Sequence, residues 1–318
     1  MMPSQSIDAD PSEQNPKATP AGNTIFPNLF IIGAMKSGTT LLHKILSSHP
    51  AILMSNPKEP SYFVEPGQLH RLQPHLWRLG YWRSEARYLQ LFQTDKQIKY
   101  AGEASVFYTH TPLATGVAER IRRFNPHAEL VYIMRDPVER TISHYWERVV
   151  NNSEHRSIVR AILDDDRYCD VSHYAMQLAP YLNRFNATQI HILTLEELLA
   201  NPEKITREIF RWLAIDDTIP IVATQNENQT PFLVEQRMPF WGILRSYLMR
   251  YDYALWAIDF VPESARRYGA RIFSRKVNRL DADIERAVQY LRPLQRRQTE
   301  ELSLLLGRDF PEWKTLNS

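Results

Sequence analysis

The octapeptide Gly33-Ala-Met-Lys36-Ser37-Gly38-Thr39-Thr40 gathers glycine, lysine and hydroxyl side chains into one short loop. The apolar run Leu29–Ile32 precedes it and reads as a buried strand. Leu41, Leu42, Ile45 and Leu46 follow at i, i+1, i+4 and i+5, which predicts one face of a helix. A glycine-bounded loop between a strand and a helix N-terminus binds phosphate-like anions. First-turn N–H groups lack intrahelical partners there, and the helix dipole adds positive potential. The lysine narrows the chemistry. A nucleoside-triphosphate loop is spelled G-x-x-x-x-G-K-[ST], with lysine directly after the second glycine. Gly33 and Gly38 keep that spacing, but Thr39 follows Gly38 and the lysine lies earlier, at Lys36. The sequence therefore predicts an anion cradle that is not a triphosphatase loop.

A second candidate begins where Glu129–Met134 (ELVYIM) meets Arg135-Asp136-Pro137. An arginine at the carboxyl end of a strand can make a forked, charge-assisted contact to phosphate. Asp136 before Pro137 is a cap-and-start signal for a helix. Arg140, Ser143 and His144, one to two turns on, offer further donors; a plain helix cap with a surface ion pair is the alternative reading of the same residues. Two separated anion sites on one sheet edge would suit a nucleotide charged at both ends of its ribose.

The elements that must position these groups follow from periodicity. Ala51–Met54 is a short apolar piece, Ala101–Ala104 reads as a short strand, and Glu129–Met134 and Gln189–Thr194 read as longer strands. Helices are expected around Glu85–Phe92, through Leu113, Val117, Ile121 and Phe124, and over Val138–Val149, Glu203–Leu213 and Asp281–Leu306, the last ending at Gly307. Two prolines give Asn56-Pro57-Lys58-Glu59-Pro60 an irregular path. Strands alternating with helices predict an α/β fold with a doubly wound parallel sheet, whose ligands gather at the carboxyl ends of the strands. Trp241–Leu255 suggests a further helix with aromatic residues that pack on the core, line an acceptor pocket or touch a membrane surface. Residues 266–279 carry six basic side chains and no acidic one, a lid, an acceptor surface or a solvated face.

Composition sets the bounds. The chain has 318 residues, 43% hydrophobic and 23% charged, which fits an ordinary globular protein with one large domain. A net charge of +2 gives no argument for nucleic acid. Cys169 is the sole cysteine, so no intrachain disulfide forms and a structural zinc site has a poor starting set. Residues 1–24 are polar and proline-rich, without an apolar run, and are expected to form a disordered tail ahead of a single domain over 25–318. No stretch offers the roughly 18 apolar residues of a membrane span. With no signal or anchor, the expectation is a cytoplasmic, bacterial protein.

The ordered set PxxFIIGxxKSGTTxLxxxLxxHP, KEPxYF, GExSxxY and LVYIxRDPxxRxxSxY resembles the PAPS-dependent sulfotransferases, most of all the heparan-sulfate-type and related bacterial branch with its P-loop-like nucleotide-binding fold. The likeness runs from about residue 27 to 313 and includes Leu182–Phe185, Asn226–Thr230 and the closing LLGRDFPEW. It implies that Lys36, Ser37, Gly38, Thr39 and Thr40 cradle the 5′-phosphosulfate of PAPS and that Arg135 and Ser143 bind its 3′-phosphate. It implies Glu59 as the general base, with Lys58 assisting, and a hydroxyl or amine on a carbohydrate or small metabolite as acceptor. His110 is the counterpart candidate, because the cytosolic branch uses a histidine base. Lys36 and the loop amides would stabilise charge on the departing phosphate oxygen without a metal; the residue after ELVYIM is Arg135, not a metal-binding aspartate. The sequence departs from the heparan-sulfate enzymes at Ala104, where they commonly carry a lysine that contacts acceptor and cofactor, so a highly sulfated or carboxylated polysaccharide is less favoured. Glu103 and Ser105 are candidates for lining the site or for a structural role. A PAPS- or PAP-binding module without transfer activity and a P-loop kinase are the competing readings, the kinase opposed by the position of Lys36.

Overall fold

Leu29, Phe30, Ile31 and Ile32 are all fully buried, as a strand must be when it is covered on both faces and paired on both edges. The structure, a computed structural model, describes residues 23–151, 153–220, 233–237, 274–278 and 283–318. Its main sheet contains β1 (Leu29–Gly33), β2 (Ile52–Met54), β3 (Tyr100–Ala104), β4 (Glu129–Met134) and β5 (Ile190–Thr194) in the order β2-β3-β1-β4-β5. Every pairing is parallel. From central β1 the chain steps out to edge strand β2, returns through β3, then crosses to β4 and β5. That change of direction opens a crevice at the carboxyl end of β1, between β3 and β4.

Side chains alternate across the sheet, and each face has its own apolar cluster. Leu29, Ile31, Val131 and Ile133 pack beneath α1 (Thr39–Ser47). Phe30, Ile32, Leu130, Tyr132 and Met134 face the other way, into a cluster with α2 (Val117–Phe124), α3 (Pro137–Val150) and α4 (Tyr174–Leu182). Ile205, Ile209 and Phe210 of α5 (Pro202–Trp212) complete the α1 side. Ala287, Leu291 and Leu302 of α6 (Ile284–Leu306) complete the α3 side. The sheet is doubly wound, as the alternation of strands and helices predicts. Gly307, at φ 65, ends α6 in the left-handed conformation expected of a glycine cap.

Some boundaries differ from expectation. Asn23–Thr24 pairs antiparallel with Gln93–Thr94, so the last two residues assigned to a disordered tail belong to a strand. Leu113 stands outside α2, which begins after Gly116. Helices over Pro66–Leu72 and Pro74–Leu79 were not visible as periodic patterns; each is short and opens on a proline. Residues 1–22, the Asn226–Thr230 and Trp241–Leu255 segments and most of the basic stretch lie outside the described residues. Of that stretch, Ser274–Asn278 pairs antiparallel with Leu233–Arg237.

β1 ends where only glycine fits. Gly33 has φ 147, and a Cβ built on it would lie 2.0 Å from Thr109 Oγ1. Thr109 is itself held by a 2.8 Å bond donated to Ile32 O. Gly33→Ala should therefore destabilise the fold by about 2–4 kcal/mol, through combined backbone strain and overpacking. Urea unfolding reads this directly, and an unchanged midpoint would show that the strand end yields easily.

Candidate functional site: an anion cradle at the end of the central strand

The loop leaving β1 adopts the conformation of an anion cradle. Lys36 has φ 66 and Gly38 φ 91, so the backbone turns back on itself before α1. Gly38 is the helix cap and supplies no side-chain cap bond. The first-turn N–H groups of α1 are thus left for another acceptor. A Cβ at Gly38 would lie 2.6 Å from Leu195 Cδ1. Ser37 is fully buried, Thr39 nearly so, and Thr40 half-buried. The loop residues fit a phosphate-like group: a cation, uncapped amides and no room for larger side chains at the glycines.

Lys36 reaches across to α3, where its Nζ lies 3.0 Å from Glu147 Oε1, with about a quarter of the lysine side chain exposed. At the other end of α3, Arg135 Nη2 lies 2.7 Å from Glu139 Oε2. Glu139, Ser143 and Glu147 fall at i, i+4 and i+8, one stripe of the helix about 12 Å long. Half-buried Ser143 sits between the two ion pairs. The structure therefore brings Lys36, Arg135 and Ser143 to a single helix face. Glu139 and Glu147 were missed from sequence, although their four-residue spacing from Ser143 is the signal that would have found them.

Arg135 is fixed through its backbone as well. The Tyr174 hydroxyl donates to Arg135 O at 2.7 Å, and Asp136 N–H donates to Glu196 Oε1 at 2.9 Å. Asp136 caps α3 by accepting from Val138 N–H and Glu139 N–H. Burial raises the Asp136 pKa, opposed by these N–H donors and by Leu316 N–H. Glu139 is pushed up by burial, but the Arg135 guanidinium and the Thr315 hydroxyl outweigh it and hold the carboxyl below its ordinary range.

Two expected donors point elsewhere. Arg140 and His144 are buried in the core side of α3, not on the Ser143 stripe. Arg140 donates to Ser172 Oγ at 2.5 Å and to Tyr168 O. His110 is also buried, and burial together with the charges of Arg140 and Arg167 pushes its pKa down to about 3.

Glu59 lies on the opposite side of β1 from Arg135. Its N–H donates to Ala104 O at the end of β3 (3.0 Å), and its Oε2 accepts from Val106 N–H (2.8 Å). Its Oε1 pairs with Lys58, and a fifth of its side chain remains exposed. β3, β1 and β4 are adjacent, so the Glu59 and Arg135 anchor points are separated by about two strand spacings, roughly 10 Å, with the Lys36 loop between them. Glu103 and Ser105 are fully buried and do not line an open site. Burial pushes Glu103 up to about 7, against the pull of hydroxyl donors from Ser105, Tyr108 and Tyr88.

Site and sheet together define a parallel α/β protein with an uncapped, lysine-bearing loop at the end of its central strand. The sequence profile of the sulfotransferase family matches residues 27–218, more than half of the chain, and the protein belongs to that family. It is 34% identical over 119 residues to the membrane-associated sulfotransferase kil1 of Dictyostelium discoideum, covering 37% of this chain and 22% of that protein. Over 209 residues it is 27% identical to the bifunctional heparan sulfate N-deacetylase/N-sulfotransferase of Drosophila melanogaster, covering 59% of this chain and 20% of that protein. Human carbohydrate sulfotransferase 15 is 26% identical over 249 residues, with 59% and 43% covered. The chain thus spans between about a fifth and two fifths of the length of these relatives. The crystal structure of a sulfotransferase from Alicyclobacillus acidocaldarius superposes with a TM-score of 0.64 at 22% identity, over 91% of this chain and 98% of that one, and shares the fold. No helix among the described residues is long and apolar enough to cross a membrane.

The raised Glu103 carboxyl has a consequence for stability. Its ordinary value is 4.5 and its folded value about 7, so the folded state binds this proton more tightly. The resulting stabilisation is complete below about 4.5 and is lost as pH rises through about 7. Glu103→Gln should flatten that part of the stability–pH curve, measured as urea midpoints at intervals from pH 4.5 to 8. An unchanged slope would assign the proton to another group.

Proposed function

We propose that the protein transfers a sulfonate from PAPS to a hydroxyl or amine of a carbohydrate or small-molecule acceptor, by in-line displacement and without a metal. One observation carries the reading: along one sheet edge, the Lys36 loop at the end of β1 lies between a carboxylate anchored on β3 and an arginine at the end of β4. Membership of the sulfotransferase family supports it. The names of relatives that act on heparan sulfate and other carbohydrates support a carbohydrate acceptor. The shared apolar cluster of β1, β4 and α6 supports one domain over residues 25–318.

Lys36, Ser37, Gly38, Thr39 and Thr40 would hold the 5′-phosphosulfate, and Arg135 and Ser143 the 3′-phosphate. When bound, PAPS supplies an activated sulfonate whose departure leaves adenosine 3′,5′-bisphosphate. Glu59 takes the proton from the acceptor O–H or N–H as that atom bonds to sulfur. The bond between sulfur and the bridging phosphate oxygen breaks, and Lys36 with the first-turn amides of α1 stabilises the charge left on that oxygen. Lys36 must leave Glu147 to do so; both side chains keep contact with water, and ion pairs near the surface contribute little, about 0–1 kcal/mol.

Calorimetry should show tight binding of adenosine 3′,5′-bisphosphate without Mg²⁺. Binding of ATP that requires Mg²⁺, with no binding of the bisphosphate, would replace this reading with a kinase. Glu59→Gln should lower [³⁵S]sulfonate transfer to N-deacetylated heparosan or a phenolic acceptor to a small residual rate, by about 10²–10⁴-fold, while leaving bisphosphate affinity intact. Near-normal turnover in that variant would remove Glu59 as base. Lys36→Ala should reduce turnover by about a hundredfold and lower bisphosphate affinity far less, a split that steady-state kinetics and calorimetry read separately.

A further inference from the structure

Glu103 is buried in β3, and the roles assigned above do not use it. Tyr88 and Tyr108 each donate to its Oε1 at 2.7 Å, and Ser105 donates to its Oε2 at 2.6 Å. Above its titration near 7 the Glu103 carboxylate only accepts, and the single hydroxyl proton of Ser105 is then committed to Glu103. The lone pairs of Ser105 are left for Ser61 N–H, which lies 3.0 Å away. The same strand end grips the neighbouring loop at two more points, through Ala104 O to Glu59 N–H and through Val106 N–H to Glu59 Oε2. Glu59 and Ser61 have φ 66 and 52, a backbone state that residues with a side chain keep only where surrounding contacts impose it.

We propose that Glu103 is a positioning residue for Glu59: by orienting the Ser105 hydroxyl it holds the Glu59–Ser61 turn in its left-handed form and so aims the Glu59 carboxylate. The inference rests on the reading of Glu59 as base. The direction of each hydrogen bond makes the argument specific. A glutamine at 103 can present its amide N–H₂ to Ser105, which leaves the Ser105 proton without its acceptor and the hydroxyl free to rotate away from Ser61 N–H. The Glu59 charge also acts on the Glu103 carboxyl and raises it further, as expected of two acids within electrostatic reach.

The test is a double-mutant cycle on the full chain, with [³⁵S]PAPS as donor and N-deacetylated heparosan, a phenol and water as acceptors. Ser105→Ala and Glu103→Gln should each lower kcat by between about tenfold and a hundredfold, with bisphosphate affinity within about twofold, while Ser105→Thr restores the rate. In a Glu59→Gln background Ser105→Ala should have no further effect, because its influence passes through Glu59. Amide exchange at Ser61 and Val106 should rise in both single variants. If Glu103→Gln fails to fold, Ser105→Ala and Ser105→Thr carry the test alone. An equal loss from Ser105→Ala in the presence and absence of Glu59 would overturn the proposal and leave Ser105 a structural group. A Glu59→Gln enzyme with near-normal turnover would instead remove the base assignment on which it rests, and the two failures are distinct.

Discussion

The structure depends on how β1 ends. The strand is enclosed by β3 and β4 at its edges and by apolar clusters on both faces, so it must leave the sheet along its own axis. Thr109 occupies the space beside its last residue, which admits no side chain at Gly33. The chain therefore turns through backbone states open to glycine, and at Lys36 through a left-handed state that a lysine adopts only under constraint. That turn points the first amides of α1 into the crevice. Ala34 N–H donates to Ile133 O at 2.7 Å, which ties the loop to β4 and hence to Arg135. Two candidate anion sites about a hundred residues apart in sequence are held in one frame by a single strand end.

Charge is distributed between surface and core in opposite ways. Lys36 and Arg135 keep part of their side chains in water and pair with Glu147 and Glu139. Arg140, five residues after Arg135, is fully buried and bonds to hydroxyl and carbonyl oxygens. Its Nη1 has no hydrogen-bond partner among the described residues. A buried positive charge of this kind disfavours protonation of neighbours, and burial and Arg140 together lower both His144 and His110. Arg140 thus joins the architecture of α3, and its field helps explain why His110 is kept neutral.

Much of this was legible in the sequence because strands and loops announce themselves locally. Leu29–Ile32 and Glu129–Met134 are continuous apolar runs of the kind parallel sheets bury, and they fall where expected. The Gly33–Thr40 loop and the Asp136-Pro137 cap are encoded by residues next to one another. What escaped was angular or long-range. Arg140, Ser143 and His144 all follow Arg135 within two turns, yet only Ser143 shares the stripe of Glu139 and Glu147; sequence proximity does not say which face of a helix meets the crevice. The Tyr88 and Ser61 contacts to the Glu103–Ser105 pair bridge 15 and 44 residues, and no local pattern reports them.

Strand register completes the argument. β1 and β3 pair Phe30 with Glu103 and Ile31 with Ala104. Side chains of paired residues share a face, so Glu103 enters the cluster of Phe30, Tyr88 and Tyr108, while Ala104 joins Ile31, Leu42 and Met54 beneath α1. A slip of one residue would exchange them, placing a carboxyl among aliphatic side chains and an alanine against the tyrosine hydroxyls. The buried acid therefore reads the register as well as supporting the turn. It also gives a physical reason for Ala104 in this chain: the position is fully buried under α1, where a small apolar side chain fits and an ammonium group would need a path out past the Glu59 loop. On the function proposed above, acceptor recognition on this side of β1 would fall to Lys58, Glu59 and the loops around them, separate from the residues after β1 and β4 that would bind the donor.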